Sequence, residues 1–190
     1  MKVTAITLRP GNVVEKDGRL FVVTKYDIIQ PGKGNSVIQI EMRDIRSGSK
    51  DNVRYRTQET VERARLEQED YQYLFAEDGG DMFTFMHTEN YEQLEVNGEI
   101  IGDPKQYLQE GMVVQIELFE GEPLGVKLPD TVTMEIVEAE PVVKGQTATT
   151  SYKPAVLENG ARVMVPPHVE SGIRIVVKTE DSTYVERAKD

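Results

Sequence analysis

Short runs that alternate apolar and polar side chains, broken by turns containing glycine and proline, recur along the whole of this 190-residue chain. The clearest is Ser36-Val37-Ile38-Gln39-Ile40-Glu41-Met42-Arg43, in which Ile38, Ile40 and Met42 fall on one face. Successive side chains on an extended backbone point to opposite faces, so a period of two marks a strand with one buried side. Upstream, Leu20-Phe21-Val22-Val23-Thr24-Lys25-Tyr26-Asp27-Ile28-Ile29 is rich in β-branched and aromatic residues, and Gln30-Pro31-Gly32-Lys33-Gly34-Asn35 separates the two runs. The pattern predicts a long hairpin. Two more are predicted: Tyr71-Gln72-Tyr73-Leu74-Phe75 with Met82-Phe83-Thr84-Phe85-Met86 about Asp78-Gly79-Gly80, and Val113-Val114-Gln115-Ile116-Glu117-Leu118-Phe119 with Leu124-Gly125-Val126-Lys127-Leu128 about Gly121-Glu122-Pro123. Strands at this spacing build small barrels or sandwiches, so the fold class is all-β.

Helical signals are sparse. Asp103 as cap, Pro104 in the first turn and Gly111 as stop predict a helix of about two turns through Lys105-Gln106-Tyr107-Leu108-Gln109-Glu110. Residues 59–69 lack a full apolar stripe and read as a strand-rich crossing. A faint echo joins Leu8-Arg9-Pro10-Gly11-Asn12-Val13-Val14, Leu108-Gln109-Glu110-Gly111-Met112-Val113-Val114 and Val169-Glu170-Ser171-Gly172-Ile173-Arg174-Ile175. Each is an apolar residue, a glycine three positions on, then an apolar strand, which reads as a turn into a barrel strand with glycine supplying the unusual backbone angles. With charge steps along the chain, the echo divides it into units 1–64, 65–128 and 129–190.

Those steps are large. Residues 1–63 carry 12 Lys and Arg against 8 Asp and Glu, residues 64–127 carry 3 against 15, and residues 128–190 carry 7 against 10, for an overall charge of −11. A generic polyanion binder is disfavoured by that total, since nucleic-acid affinity rests on cations at phosphates. A basic first unit followed by an acidic middle instead suits a molecule that presents one end to phosphate, with solubilising charge as the plainer alternative. No run approaches the ~18 apolar residues that span a bilayer, and Met1-Lys2-Val3-Thr4-Ala5-Ile6-Thr7 opens no signal peptide. The chain has no cysteine, which fits a reducing cytosol and removes disulfides and thiolate chemistry. A cytoplasmic protein is expected.

Catalytic and metal readings lack ligands. His87 and His168 are far apart and outside the HExxH spacing, and no GxSxG elbow, phosphate loop or GxGxxG fingerprint occurs. The Glu67/Glu69/Asp70 and Glu120/Glu122 groups read as solvated surface. Tyr71, Tyr73 and Phe75 at period two read as core, with base stacking as the alternative. Lys33 stands out: flanked by Gly32 and Gly34 at the turn of the long hairpin, it can project its full length beyond the fold. An ordinary exposed turn lysine is the alternative.

The whole chain resembles bacterial elongation factor P, the translation factor family related to hypusine-bearing initiation factor 5A. The resemblance lies in an ordered set of pieces: Leu8-Arg9-Pro10-Gly11, Pro31-Gly32-Lys33-Gly34, Arg56-Thr57-Gln58-Glu59-Thr60-Val61, Phe85-Met86, Glu89-Asn90-Tyr91-Glu92-Gln93, Leu128-Pro129, Val143-Lys144-Gly145, Lys153-Pro154-Ala155, Val165-Pro166 and Tyr184-Val185-Glu186-Arg187-Ala188. Gln146, Asn159 and Pro167-His168 depart from the family pattern, all in the last unit.

The resemblance implies an amino-terminal barrel of the SH3 or KOW kind and two oligonucleotide-binding (OB) barrels in an L that mimics tRNA. It implies a monomeric factor, not an enzyme, that binds the ribosome between the peptidyl-tRNA (P) and exit (E) sites and relieves stalling at consecutive prolines by positioning peptidyl-tRNA. Its partners would be peptidyl-tRNA and ribosomal RNA and proteins, with no membrane, metal or cofactor. Lys33, framed by Pro31, Gly32 and Gly34, aligns with the tip residue that carries a lysine-type extension in some bacteria, added by separate modifying enzymes. Tyr184 and Arg187 match the family terminus and are candidate ribosome or tRNA contacts. The competing class is a general OB-fold RNA-binding protein or RNA chaperone, in which the tip lysine is incidental.

Overall fold

The computed structural model describes residues 1–141 and 151–189. Sixteen strands are found among them: β1 Lys2–Thr4, β2 Val13–Lys16, β3 Arg19–Ile29, β4 Val37–Asp44, β5 Lys50–Arg56, β6 Thr60–Arg63, β7 Glu67–Ala76, β8 Met82–His87, β9 Gln93–Asn97, β10 Val113–Phe119, β11 Glu122–Lys127, β12 Thr131–Ala139, β13 Lys153–Leu157, β14 Arg162–Val165, β15 Arg174–Lys178 and β16 Tyr184–Arg187. They form three sheets ordered β1-β6-β2-β3-β4-β5, β11-β10-β7-β8-β9 and β14-β13-β12-β15-β16. The chain groups into two compact units, Met1–Glu67 with Leu118–Leu124, and Gln68–Glu117 with Gly125–Asp190. All three expected hairpins are present, as is the strand-rich crossing at 59–69.

In the first unit the alternation of β4 does what its period predicts. Ile38, Ile40 and Met42 are fully buried in a core with Ala5, Leu8, Val14, Phe21, Val23 and Val61. Burial of side chains of this size is worth about 1.5 to 3 kcal/mol each, and a one-residue slip of register would expose all three. Asp17-Gly18 closes β2 on β3 with both residues at positive φ (52° and 74°), the mirror-image turn that matches strand twist.

The glycine echo has a common geometry. Asn12 N donates to Arg9 O, Met112 N to Gln109 O and Ile173 N to Glu170 O, and Gly11, Gly111 and Gly172 hold φ of 94°, 88° and 89° at the third position. These are type II turns, which need positive φ there. Each turn then grips a strand. Gly11 N donates to Val23 O at 2.9 Å and Asn12 O accepts from Val23 N at 2.9 Å; Gly111 and Met112 treat Tyr73 the same way at 2.9 and 2.8 Å, and Gly172 and Ile173 treat Ile136 at 2.7 and 2.9 Å. On the other edge of the same strands the register slips between Val23 and Lys25, between Tyr73 and Phe75 and between Ile136 and Glu138. The extra residue of a bulge bends and twists its strand, which lets one strand pair with neighbours on both sides of a curling sheet.

Three local readings need correction. The bulge at Leu74 changes the phase of β7, so Tyr71 is buried and Tyr73 packs edge-on against Phe83 and Phe85, whereas Phe75 is 54% exposed. The expected two-turn helix is a 3-10 turn over Asp103–Tyr107 with Gly102, not Asp103, at its amino end, and Leu108 is already extended. A helical turn that the sequence did not announce, α1 Gly98–Ile101, precedes it, capped by Asn97 Oδ1 accepting from Glu99 N at 2.9 Å. Third, the turn between β10 and β11 is Glu120-Gly121 (φ 49° and 82°), and Glu122 and Pro123 lie in β11. Because β11 is the outer strand of its sheet, Pro123 can lack an amide hydrogen without breaking a ladder.

Candidate functional site

The hairpin of β3 and β4 is the scaffold of the tip. Ile28 pairs with Ile38 and Ile29 with Val37, and beyond that last rung the chain runs exposed through Gln30, Pro31, Gly32, Lys33, Gly34 and Asn35. Gly34 sits at φ +117°, and a side chain built there would lie 3.8 Å from the Pro31 ring. Gly32 has an ordinary φ, so of the two flanking glycines only Gly34 is required by backbone angle. Lys33 is exposed and forms no ion pair with another described residue.

A third strand stiffens the base. β5 pairs with β4 from Arg43↔Lys50 to Val37↔Arg56, and just past it Thr57, itself buried, donates from N to Ser36 O at 3.2 Å. Residues opposite one another share a face. Lys25, Asp27 and Ile29 on β3, Val37, Gln39, Glu41 and Arg43 on β4, and Lys50, Asn52, Arg54 and Arg56 on β5 therefore lie on the outer side. Five of those side chains are cationic and two anionic, and Arg54 and Arg56 are exposed near the tip. On the other side the Arg9 guanidinium stacks 4.5 Å from the centre of the Tyr26 ring, while its Nη1 donates to Ile6 O at 2.8 Å and Leu8 O at 2.7 Å. In the sequence Arg9 is marked only as part of Leu8-Arg9-Pro10-Gly11. Its partner Tyr26, seventeen residues on in the chain, could not be read from spacing.

Tyr184 and Arg187 lie on β16, in the second compact unit, whereas the tip residues belong to the first. Tyr184 pairs with Val177 and Arg187 with Ile175. Burial raises the Tyr184 phenol above its ordinary range, Tyr152 adds to this and Arg187 opposes it. Arg187 is exposed and has no ion-pair partner among the described residues. Of the departures from the family pattern, Asn159 is structural: its Nδ2 donates to Gln106 O at 2.8 Å and its Oδ1 accepts from Ala161 N at 3.0 Å. Nearby the hydroxyls of Tyr107, fully buried, and Ser182 are hydrogen-bonded. Pro167 and His168 are the middle of a turn closed by Val169 N to Pro166 O at 3.1 Å, with His168 exposed. Gln146 and Val143-Lys144-Gly145 lie outside the described residues.

Comparison with known proteins fits this layout. Residues 4–61 match the family model "Elongation factor P (EF-P) KOW-like domain", residues 66–126 "Elongation factor P (EF-P) OB domain" and residues 132–187 "Elongation factor P, C-terminal". Elongation factor P of Rhodospirillum centenum is 60% identical over 190 residues, covering 100% of both chains. The chain belongs to the elongation factor P family. Other elongation factor P relatives are those of Acidiphilium cryptum, 55% identical over 189 residues and 100% of each chain, and of Methylorubrum populi, 54% identical over 190 residues and 100% of each. The fold is also that of a solved structure, eukaryotic translation initiation factor 5A from Methanococcus jannaschii, with TM-score 0.51 and 24% identity over 68% of this chain and 92% of that one. As a member of this family, the protein is a translation factor whose KOW-like match contains the tip lysine and whose C-terminal match contains Tyr184 and Arg187.

Proposed function

We propose that the protein binds the ribosome between the P and E sites and stimulates peptide-bond formation at consecutive prolines by positioning peptidyl-tRNA. The observation that carries this reading is Lys33, a cation without an ion-pair partner among the described residues, held beyond the last rung of a hairpin whose outer side is basic. Such a group contacts phosphate without reading sequence. Proline is a poor reactant because its ring restricts the reacting geometry, and holding the tRNA end in a reactive pose removes part of the entropic barrier. The ribosomal RNA supplies the chemistry, and the factor acts as a cytoplasmic monomer without a cofactor. An extension on the Lys33 side chain, added by separate enzymes, lengthens its reach; Tyr184 and Arg187 supply a second contact with ribosome or tRNA.

The test is translation of a triple-proline reporter in cells lacking the factor, with thermal melting alongside. Lys33→Ala is expected to melt like the wild type and to lose most of the rescue. Full rescue by this variant would sink the assignment. Tight, salt-dependent binding to random single-stranded RNA without ribosomes would instead favour the general RNA-binding class.

A further inference from the structure

The turn joining β8 and β9 displays an aromatic ring in a way the fold itself does not need. Tyr91 is 69% exposed, the most exposed large apolar side chain among the described residues. Its backbone holds φ of 63°, a conformation that costs a non-glycine residue about 1 to 2 kcal/mol. Buried His87 organises the turn beneath it. Imidazole Nδ1 accepts from Glu89 N at 3.1 Å and from Asn90 N at 3.2 Å, His87 O accepts from Tyr91 N at 3.1 Å, and His87 N donates to Glu92 O at 2.8 Å. Asn90 Oδ1 closes the turn by accepting from Glu92 N at 2.9 Å.

A depression beside the turn is lined by Glu69, Asp70, His87 and Glu89. Glu69 lies 3.2 Å from His87 Nε2 with 40% of its side chain still exposed, so its carboxylate is fixed in place while facing water. An exposed aromatic on a pinned backbone beside an acid-lined depression is the layout of a protein-binding anchor: the ring supplies contact area, and the acids select a cationic partner. RNA is repelled by the same charges, which belong to a stretch, residues 64–127, with 15 acidic and 3 basic side chains.

We infer that Tyr91 and the acid-lined depression beside it dock a basic, arginine- or lysine-bearing segment of a ribosomal protein. This rests on the ribosome-binding reading above. Affinity for purified ribosomes carrying P-site tRNA is measured for the wild type, Tyr91→Ala, Tyr91→Phe and Glu89→Lys, and p-benzoylphenylalanine at position 91 is photo-cross-linked on the same ribosomes. Tyr91→Ala is expected to weaken binding by about tenfold or more with unchanged melting, Tyr91→Phe to retain most affinity, Glu89→Lys to weaken it, and the cross-link to fall on a ribosomal protein. Wild-type affinity in Tyr91→Ala, or a cross-link to ribosomal RNA, overturns the docking site and leaves the proposed function standing. Failure of the wild type to bind ribosomes overturns both.

Discussion

Asn159 Nδ2 donates to the main-chain oxygen of Gln106 at 2.8 Å, tying the turn after β13 to the 3-10 turn that precedes β10. The same asparagine caps its own turn through Ala161 N. One side chain thus satisfies a donor and an acceptor in two segments 53 residues apart.

Asn159→Ala removes both bonds. A loss of about 1 kcal/mol per hydrogen bond is expected, lowering the melting temperature by about 2 to 4 °C for each kcal/mol lost. Tyr107→Phe deletes the neighbouring bond to Ser182, and because both contacts hold the same 3-10 turn, one from the β13–β14 turn and the other from the β15–β16 turn, a double-mutant cycle should show coupling. Strict additivity would mean that they act separately.

Gly11, Gly111 and Gly172 can be compared directly. An added methyl meets nothing within 4 Å at Gly11 or Gly172, and only Gln72 Nε2 at 3.7 Å at Gly111. The cost of alanine is therefore the backbone angle, about 1 to 2 kcal/mol at each site, with asparagine milder than alanine because it tolerates positive φ. Urea denaturation of the six variants checks this. A much larger loss at one site would show that its turn does more than reverse the chain.

Asp44 gives a pH dependence. Amides of Ser47 and then Arg46 donate to its carboxylate, with Arg19 adding a smaller attraction, and together they hold its pKa below the ordinary aspartate value. A folded pKa below the unfolded one means stability that is fully present above about pH 4 and is lost as pH falls through the folded value. Asp44→Asn should flatten the acid limb of the stability curve of the first unit, read as the difference between variant and wild type in denaturation midpoints below pH 4.

Arg187→Ala should leave melting unchanged, since the side chain is exposed and without an ion-pair partner among the described residues. If Arg187 meets phosphate, ribosome affinity falls and the slope of log affinity against log salt shrinks by about one. Lost thermal stability with unaltered affinity would assign it a structural role.

The buried face of β4 was legible because Ile38, Ile40 and Met42 keep strict phase along a strand that carries no extra residue itself and pairs with β5 without a register slip. Phase failed at Phe75, where the bulge at Leu74 is written in hydrogen bonds to Gly111 and Met112, nearly forty residues downstream. Residues 105–110 carry good helix formers, yet Gln109 to Met112 are committed to the turn that grips Tyr73, and so the helix stops at Tyr107. Gly98 hid α1. Glycine argues against a helix, but here a methyl would lie 3.0 Å from Phe83 Cε2, so packing selects it over propensity. The tip lysine was legible through its glycine frame. The Tyr91 display was not, since nothing in Glu89-Asn90-Tyr91-Glu92 announces an imidazole underneath.

The grip on Val23, Tyr73 and Ile136 is made by amides and carbonyls, with glycine required at the third turn position and side-chain support from Asn12 Oδ1, which accepts from Arg9 N, and Gln72 Nε2, which donates to Gly111 O. Most outward-facing positions of each sheet therefore take no part in that grip. That freedom is visible in the charges, which run to a net +4 over residues 1–63 and −12 over residues 64–127, on strands clasped in the same manner. Such a closure is modular: surface charge can change sign from one unit to the next while the same backbone clasp is kept underneath.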